Sequence, residues 1–386
     1  MVPRVSSSSP VGTKALQAFD VLFERYQCER IETAILQQAD PFLETAGEDL
    51  RRRMFITAGA AGEEMCLRPD FTIPVCLFHL QSEIDLPRRY GYLGPVFRQR
   101  DAGPNEFLQA GVEHLGRTET PHLVDAEIMT IAVNAATIPD SHAELSLKLG
   151  DPSLFHQLLV SLDVPSGLRL RLIRAFGRGL DRPTIQRILS PGDAEALPLP
   201  GGLQAGLHDA EALRQAVADM MLTQGLSPHA GRSPEDIATR YLETYGPQDF
   251  GLNEGAKTRL ETVLSDYLEL SGPALEMPAR LVEFERHHAV EFGTRLTQFS
   301  DRLSEFARQA GDLMPDSFVF ASDFARPLDY YTGFVFELFV NGATQPVAGG
   351  GRYDRLMEIL GSAVPVPAVG FSLWLDRMPK GKGDHG

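Results

Sequence analysis

Three separated segments of the chain carry side chains that together could hold a small molecule bearing both a positive and a negative charge. The candidate residues are Asp70, Thr72, Gln109, Glu113, Arg326, Tyr330 and Tyr331. A free amino acid presents an ammonium group, a carboxylate and a side chain. A specific site for one therefore needs an anionic group, a cationic group and a side-chain reader in one concavity. The three segments supply all of these groups, and we expect a pocket where they meet.

A period of two predicts the element that positions Gln109 and Glu113. Residues 90–98 are typical of a strand, a polar turn follows, and residues 107–114 alternate again. This pattern predicts an antiparallel hairpin with a loop longer than the tightest type. Alternation places Gln109, Gly111 and Glu113 on one face of the second strand. A polar pair that flanks a glycine is a poor solvent face and a good pocket floor.

The rest of the pattern predicts an α+β fold. Apolar residues recur at helical spacing over 14–28, and strand character appears at 64–71, 318–320 and 334–340. Residues 151–312 have mostly helical periodicity, interrupted by a Pro- and Gly-rich cluster, so they are predicted to form an insertion.

Pro41 is expected to interrupt helix formation near the start of the chain. Proline biases the residue before it towards extended backbone, which predicts an extended stretch over 40–44. A helix is expected only after that stretch, through residues 47–50.

Composition excludes several classes of protein. Hydrophobic residues make up 43% of the chain and charged residues 23%, which is ordinary globular usage. No apolar run approaches the ~20 residues that a membrane helix needs, and the first residues lack the apolar core of a secretion signal. Three cysteines are too few for a disulfide framework or a four-ligand zinc site. We expect a cytoplasmic protein that uses no metal, no cofactor and no membrane.

The charge balance argues against a nucleic-acid partner. Lysine and arginine total 36 against 52 aspartate and glutamate residues, a formal net charge of -16. Gripping RNA normally needs a cationic surface, because phosphate neutralisation supplies most of the affinity.

Four segments, in the right order, resemble the catalytic core of class II histidyl-tRNA synthetases. These segments are 67–72, similar to the LRPE-x-T segment of that family; 97–116, similar to its second class motif; 326–333, similar to its RGLDYYTG signature; and 349–377, similar to its third class motif. Residues 31–44 weakly resemble the first motif, which lies at the dimer interface in that family. The resemblance spans roughly residues 15–378 and implies a class II synthetase-like antiparallel sheet flanked by helices.

The resemblance also implies roles for the pocket residues. Asp70, Thr72 and Gln109 would hold the α-amino group of a free histidine. Arg326, with Arg98 as a second candidate, would hold the carboxylate. Glu113 and either Tyr330 or Tyr331 would contact the imidazole ring, since a carboxylate accepts from a ring N–H and a phenol can satisfy the other nitrogen. Asp70 replaces the usual glutamate of that family and is one methylene shorter.

Two substitutions depart from the synthetase pattern where ATP would bind. The Phe-Arg-x-Glu of that family becomes Phe97-Arg98-Gln99-Arg100, which replaces an acid with a permanent cation. In the third motif Trp374 stands where glycine normally lets a nucleotide approach, so the indole is expected to fill the adenine space. The chain also ends eight residues after Met378, where a synthetase would continue into an anticodon-binding domain. We expect no aminoacylation, no catalytic residue and no tRNA partner.

Together these features resemble the synthetase-like regulatory subunits of ATP phosphoribosyltransferase. That resemblance implies a catalytic short-form ATP phosphoribosyltransferase partner, a homodimer within a hetero-oligomer, and feedback by free histidine in the first step of histidine biosynthesis. Two alternatives stay open. The chain could activate histidine without an anticodon-binding domain, or it could be a scaffold with a vestigial pocket.

The predicted domain organisation follows from these patterns. A disordered N-terminus covers 1–12, and a flexible tail covers 379–386. The synthetase-like core comprises 13–150 and 313–378, and it is split by the mainly helical insertion over 151–312.

Overall fold

The computed structural model describes residues 13–45, 48–82, 84–101, 103–189, 210–223, 233–235, 237–239, 250–326 and 330–378. The predicted disordered start, the flexible tail and the Pro- and Gly-rich cluster lie outside these residues. The chain forms two compact units, one comprising residues up to 158 together with those from 269 onwards, and the other comprising 159–268.

Helices and strands alternate irregularly along the described chain. The helices are α1 (Thr13–Arg25), α2 (Asp40–Thr45), α3 (Glu48–Arg53), α4 (Thr72–Gln81), α5 (Pro121–Thr137), α6 (Pro152–Ser161), α7 (Ser166–Phe176), α8 (Arg182–Leu189), α9 (Ala210–Thr223), α10 (Glu254–Leu268), α11 (Met277–His288), α12 (Thr294–Ala310) and α13 (Leu356–Ile359). The strands are β1 (Glu29–Arg30), β2 (Leu36–Gln38), β3 (Ile56–Ala58), β4 (Glu64–Leu67), β5 (Arg88–Phe97), β6 (Glu106–Leu115), β7 (Leu145–Gly150), β8 (Ser271–Pro273), β9 (Ser317–Ala321), β10 (Val335–Val340), β11 (Ala348–Arg352) and β12 (Ala368–Trp374).

A nine-stranded sheet forms the centre of the first unit. Its strand order is β1-β5-β6-β12-β11-β10-β7-β9-β8. Neighbours pair antiparallel except for β1 with β5 and β7 with β9, which are parallel. The predicted α+β fold, an antiparallel sheet flanked by helices, is confirmed. A separate three-stranded sheet has the order β2-β4-β3.

The predicted hairpin forms from β5 and β6. Tyr92 pairs with Gly111, and Tyr90 pairs with Glu113 across the hairpin. On its other side β6 pairs with β12, so both edges of the strand are hydrogen-bonded inside the sheet. Side chains project from the faces of a strand, and Gln109 and Glu113, at 0% and 1% exposure, are covered there by Phe71 and Thr72, which hydrogen-bond to them.

The prediction of an extended stretch after Pro41 is wrong. The segment Asp40–Thr45 is the helix α2, with the proline in its first turn. A proline is tolerated there because the first N–H groups of a helix have no partner within the helix. Burial of Phe42 against Met54, Cys66 and Ile73 stabilises this short helix. The helix expected after it is confirmed as α3.

The second unit is shorter than the predicted insertion over 151–312, because α11 and α12 belong to the first unit. Helix α12 packs along α5, which covers β10, β11 and β12 of the large sheet. The buried face of α12 includes Phe299, Leu303 and Phe306. Phe299 and Phe306 meet Phe320 and Phe318 of β9 edge-on, so the helical pattern of α12 reflects burial against the large sheet as well as against α5.

Two observations bear on membranes and metals. Within the described ranges, none of the helices combines the length and apolarity needed to span a bilayer. The same residues bring together no group of three or more histidine, cysteine or acidic side chains that could hold a metal ion.

Candidate functional site

A cavity of about 200 Å³ opens over the centre of the large sheet. All eight predicted binding residues line it, although they come from four segments of the chain. They are Asp70, Thr72, Arg98, Gln109, Glu113, Arg326, Tyr330 and Tyr331. The structure therefore brings together every residue that the sequence predicted for the site.

The floor of the cavity is a carboxyl group surrounded by hydroxyls. Glu113 Oε1 accepts a hydrogen bond of 2.8 Å from the Thr72 hydroxyl and one of 3.3 Å from Tyr92. Glu113 Oε2 accepts from the Tyr353 hydroxyl. Because the three donors lie on α4, on β5 and after β11, the carboxyl joins elements that are far apart in sequence.

Burial controls the ionisation of two acidic groups in the cavity, Glu113 and Asp70. Burial raises the pKa of the Glu113 carboxyl to about 8, although the hydroxyl donors Tyr353, Thr72 and Tyr92 favour its charged form. Burial also raises the pKa of Asp70, against the opposing effect of the nearby Arg98 guanidinium.

Several buried polar atoms of the cavity have no hydrogen-bond partner among the described residues. They are Asp70 Oδ1, Gln109 Nε2, Arg326 Nε and Trp374 Nε1. Buried polar atoms are nearly always paired in folded proteins, so an unpaired set in a concavity indicates groups that are available to a ligand. The set contains one acceptor and three donors.

Gln109 is oriented by the turn before α4. Its Oε1 accepts a hydrogen bond of 3.2 Å from the Phe71 N–H, which leaves the Nε2 donor without a partner in the described chain. A carbonyl oxygen has two lone pairs, so the predicted contact with an ammonium group uses the second one. The amide N–H₂ suits an acceptor on the ligand.

Two glycines make room for the charged side chains of the cavity. A Cβ at Gly349 would lie 1.4 Å from Arg326 Nη1, and a Cβ at Gly370 would lie 1.7 Å from Glu113 Oε2. The run Gly349-Gly350-Gly351 lies within the strand β11, and its first glycine admits the guanidinium. These positions cannot bear a side chain while Arg326 and Glu113 occupy their places.

Three tyrosines form one wall of the cavity. The rings of Tyr330 and Tyr331 are 5.0 Å apart, and Tyr353 meets the two rings edge-on at 5.7 and 6.4 Å. Burial raises the pKa of all three phenols, so they are neutral hydroxyls that can donate or accept. Such a wall suits a flat, polar ring.

The two departures from the synthetase pattern lie beside the cavity. Arg100 Nη1 is 2.5 Å from Asp376 Oδ2, and its guanidinium lies 3.4 Å from the centre of the Phe107 ring. Trp374 is 5% exposed and lines the cavity, with the Arg377 guanidinium 4.5 Å from its ring. The rings of Phe107 and Trp374, which could stack on a flat base, are thus each next to an arginine of the same chain.

Sequence reasoning missed several lining residues, including Tyr353, Gly349, Gly370, Glu337 and Arg377. Gly349 belongs to the glycine run and Tyr353 lies two residues after its end, so their motif was visible while their partners were not. Tyr92, the other donor to Glu113, was predictable only as a strand residue. The contacts of these residues cross between strands and have no signature in local spacing.

Comparison with known proteins gives consistent results. The family described as "Histidyl-tRNA synthetase" matches residues 12–230 and 250–378. A protein of Mesorhizobium japonicum named ATP phosphoribosyltransferase regulatory subunit is 41% identical over 92% of this chain and 94% of its own length. A protein of the same name from Rhizobium meliloti is 42% identical over 92% of this chain and 93% of its own.

A solved structure extends the comparison to the fold. A Bacillus halodurans protein, described as an ATP phosphoribosyltransferase regulatory subunit/histidyl-tRNA synthetase, superimposes with a TM-score of 0.61 at 20% identity. The alignment covers 97% of this chain and 83% of that one. At this identity the likeness concerns the fold.

Glu113→Gln should flatten the dependence of stability on pH between about pH 5 and about pH 8. Folding raises the pKa of this carboxyl from 4.5 to about 8, so the folded state binds an extra proton in this window. The unfolding free energy of the wild type therefore falls as pH rises, by an amount on the order of a few kcal/mol at about 1.4 kcal/mol per pKa unit. Urea unfolding across the window measures the slope. Glu127→Gln, which breaks a pair with Arg89, is the control, and equal slopes for wild type and Glu113→Gln would contradict the prediction.

Gly349→Ala and Gly350→Ala should separate displacement of Arg326 from damage to the sheet. At position 349 the new methyl meets the flexible end of Arg326, whereas at 350 it meets the Gly370 carbonyl oxygen at 2.3 Å. We expect Gly349→Ala to keep its stability and change the emission of Trp374, the one tryptophan of the chain, whose ring lies 5.7 Å from the Arg326 guanidinium. Gly350→Ala should lose about 1–3 kcal/mol or more in urea unfolding. Equal losses of unfolding free energy in the two variants would refute the claim that Gly349 only makes room for Arg326.

Proposed function

The chain belongs to the family of ATP phosphoribosyltransferase regulatory subunits, which have the histidyl-tRNA synthetase fold, and on this premise we propose that it senses free histidine for a catalytic partner. The resemblance predicted from the four sequence segments is confirmed. In this proposal the chain performs no chemistry. A catalytic short-form ATP phosphoribosyltransferase carries out the first step of histidine biosynthesis in the cytoplasm, and the chain joins it as a homodimer within a hetero-oligomer.

The observation that carries the proposal is the set of unpaired polar atoms in one cavity with Glu113. Asp70 and the carbonyl of Gln109 suit an ammonium group, and Arg326 suits a carboxylate. Glu113 and the tyrosine wall suit the two nitrogens of an imidazole, because one group accepts and the other is a neutral hydroxyl. A ligand that lacks one of these groups would leave a buried polar atom unpaired, which is the physical basis of strong discrimination.

The non-catalytic part of the proposal is supported by the contacts of Arg100. Its guanidinium lies over Phe107 and is held there by Asp376. A nucleotide base could stack on that ring only after the ion pair moved, and the permanent positive charge replaces an acidic residue of the synthetases. Charge-positioning groups supply most of the catalysis in phosphoryl chemistry, so this exchange removes a central one.

An enzyme that activates histidine is the second candidate, favoured by the description of the matching family as histidyl-tRNA synthetase. It requires ATP in the space beside Arg100 and Trp374. The two candidates differ in a single measurable activity, the exchange of pyrophosphate into ATP in the presence of histidine.

The proposed function is tested by co-purification with the catalytic short-form subunit, followed by assays with and without histidine. We expect a hetero-oligomer by light scattering, phosphoribosyltransferase activity that histidine lowers, and no pyrophosphate exchange above background. Feedback requires that histidine bind the inhibited state more tightly than the active state. Robust pyrophosphate exchange would establish the second candidate, and a complex insensitive to histidine would reduce the chain to a scaffold.

Arg326→Ala and Glu113→Ala should each weaken histidine binding. Removing one partner leaves a buried polar group unpaired, which costs about 1–3 kcal/mol, or roughly a 5- to 150-fold rise in Kd. Titration followed by Trp374 emission or calorimetry measures the affinity. Arg286→Ala, at an exposed position of α11 whose side chain is 78% accessible, is the matched control and should leave Kd unchanged. Unchanged affinity in both pocket variants would refute the site.

A further inference from the structure

A chain of charged side chains, three of them largely buried, runs from helix α12 through α5 to the end of β11. It consists of Arg302, Asp125, Arg352 and Asp354, and we refer to it as the charge relay. Arg302 Nε donates to Asp125 Oδ2 at 2.9 Å, and Arg352 Nε donates to Asp125 Oδ1 at 3.0 Å. Arg352 Nη1 then donates to Asp354 Oδ1 at 2.9 Å. One carboxylate on α5 thus holds two guanidinium groups from different elements.

The burial of the charge relay is unusual for so many charges. The side chain of Asp125 is 1% exposed, that of Arg302 is 8% exposed, and that of Arg352 is 12% exposed. Buried ion pairs contribute little net stability, because desolvation offsets much of the attraction. A buried network of this kind is better explained by its effect on structure, because it fixes the positions of the groups that it joins.

One end of the charge relay holds the tyrosine wall of the cavity. The carbonyl oxygen of Arg352 accepts hydrogen bonds from the N–H groups of Thr332 at 2.9 Å and Gly333 at 3.3 Å. The Thr332 hydroxyl in turn accepts from the Asp354 N–H at 2.9 Å. Tyr353 lies between the relay residues Arg352 and Asp354, and Tyr331 precedes Thr332, which is hydrogen-bonded to both of them, so the relay adjoins two cavity-lining rings.

The other end of the charge relay lies on α12, which has an exposed outer face. Arg302 Nη1 also donates to Asp151 Oδ2 at 2.8 Å, and its guanidinium lies 4.5 Å from the centre of the Phe334 ring. A shift of α12 along α5 would therefore strain contacts on both sides of Arg302. Asp301 and Ser304 beside it on the helix face solvent.

We propose that Asp125 is a positioning residue of the histidine site, acting through Arg352 on the tyrosine wall, and that Arg302 couples occupancy of the site to α12. The inference deepens the proposed function and rests on histidine being the ligand. A discrete element that contacts both the cavity and an outer helix is the physical requirement for such coupling.

The test compares two isosteric changes on the same helix. Asp125→Asn removes the charge that holds Arg352, whereas Glu127→Gln removes the charge that pairs with Arg89, a residue that does not line the cavity. We expect Asp125→Asn to raise the Kd for histidine about 10-fold or more and Glu127→Gln to change it less than about 2-fold. Calorimetry measures Kd, and urea unfolding confirms that each variant is folded.

Coupling to α12 is measured by hydrogen exchange with and without histidine. In the wild type and in Glu127→Gln, histidine should slow exchange in residues 294–310. In Arg302→Met, which keeps an unbranched side chain but removes the charge and the hydrogen-bond donors, histidine should still bind but should no longer protect α12. If Asp125→Asn does not fold, Asp354→Asn replaces it. The Asp354 side chain is 39% exposed, and its loss of charge breaks the same relay at the end nearest the tyrosine wall.

The outcomes separate the inference from the proposed function. Equal Kd values for Asp125→Asn and Glu127→Gln, or equal protection of α12 in wild type and Arg302→Met, would overturn the inference while leaving histidine sensing intact. If the wild type binds no histidine, the proposed function fails. Asp125→Asn should then still speed exchange of the Thr332 and Gly333 amides relative to Glu127→Gln, and an unchanged rate would overturn the positioning role as well.

Discussion

The carboxyl group of Glu113 lies in the middle of the nine-stranded sheet, away from water, and its hydroxyl donors belong to three other elements. Burial makes the charged form costly, which is why the pKa is raised to about 8 despite those donors. The hairpin, the start of α4 and the residue after β11 must all meet at this one group. The hydrogen bonds that these elements donate to Glu113 fix their relative positions, and thereby the shape of the cavity.

Room for the buried charges comes from backbone without side chains. Gly370 leaves space for Glu113, and Gly349 leaves space for Arg326, on adjacent strands of the same sheet. A glycine in a central strand is normally unfavourable, because it packs nothing and loses more entropy on folding. Here the missing side chains let Glu113 and Arg326 line one cavity. The sheet tolerates the two glycines because β11 and β12 are each hydrogen-bonded to a strand on both sides.

The cavity and the surface beside it differ in how their polar groups are used. The cavity keeps unpaired atoms of Asp70, Gln109 and Arg326. Beside the cavity Arg100 is paired with Asp376 and covers Phe107. The fold thus leaves polar groups available in the cavity while an internal ion pair covers the neighbouring aromatic surface. This arrangement agrees with a family of regulatory subunits.

The sequence by itself determined the pattern of elements and, through its resemblance to the class II synthetases, the candidate residues of the site. Periods of two and of 3.6 residues encode which side of a strand or helix is buried, so the hairpin and the α+β class were predictable. The eight lining residues were predicted from that resemblance and from the groups that a free amino acid needs. Only the tertiary structure decided that Asp40–Thr45 is a helix, because its stability comes from Phe42 packing against residues distant in sequence. The same holds for the donors Tyr92 and Tyr353, whose partner Glu113 is on another strand, and for Arg100, whose partner Asp376 follows β12. Local spacing specifies how a segment folds. The partner of a buried polar group depends instead on which distant segments become neighbours. Tyr353 and Glu113 are 240 positions apart along the chain, so local spacing carries no signal of their hydrogen bond.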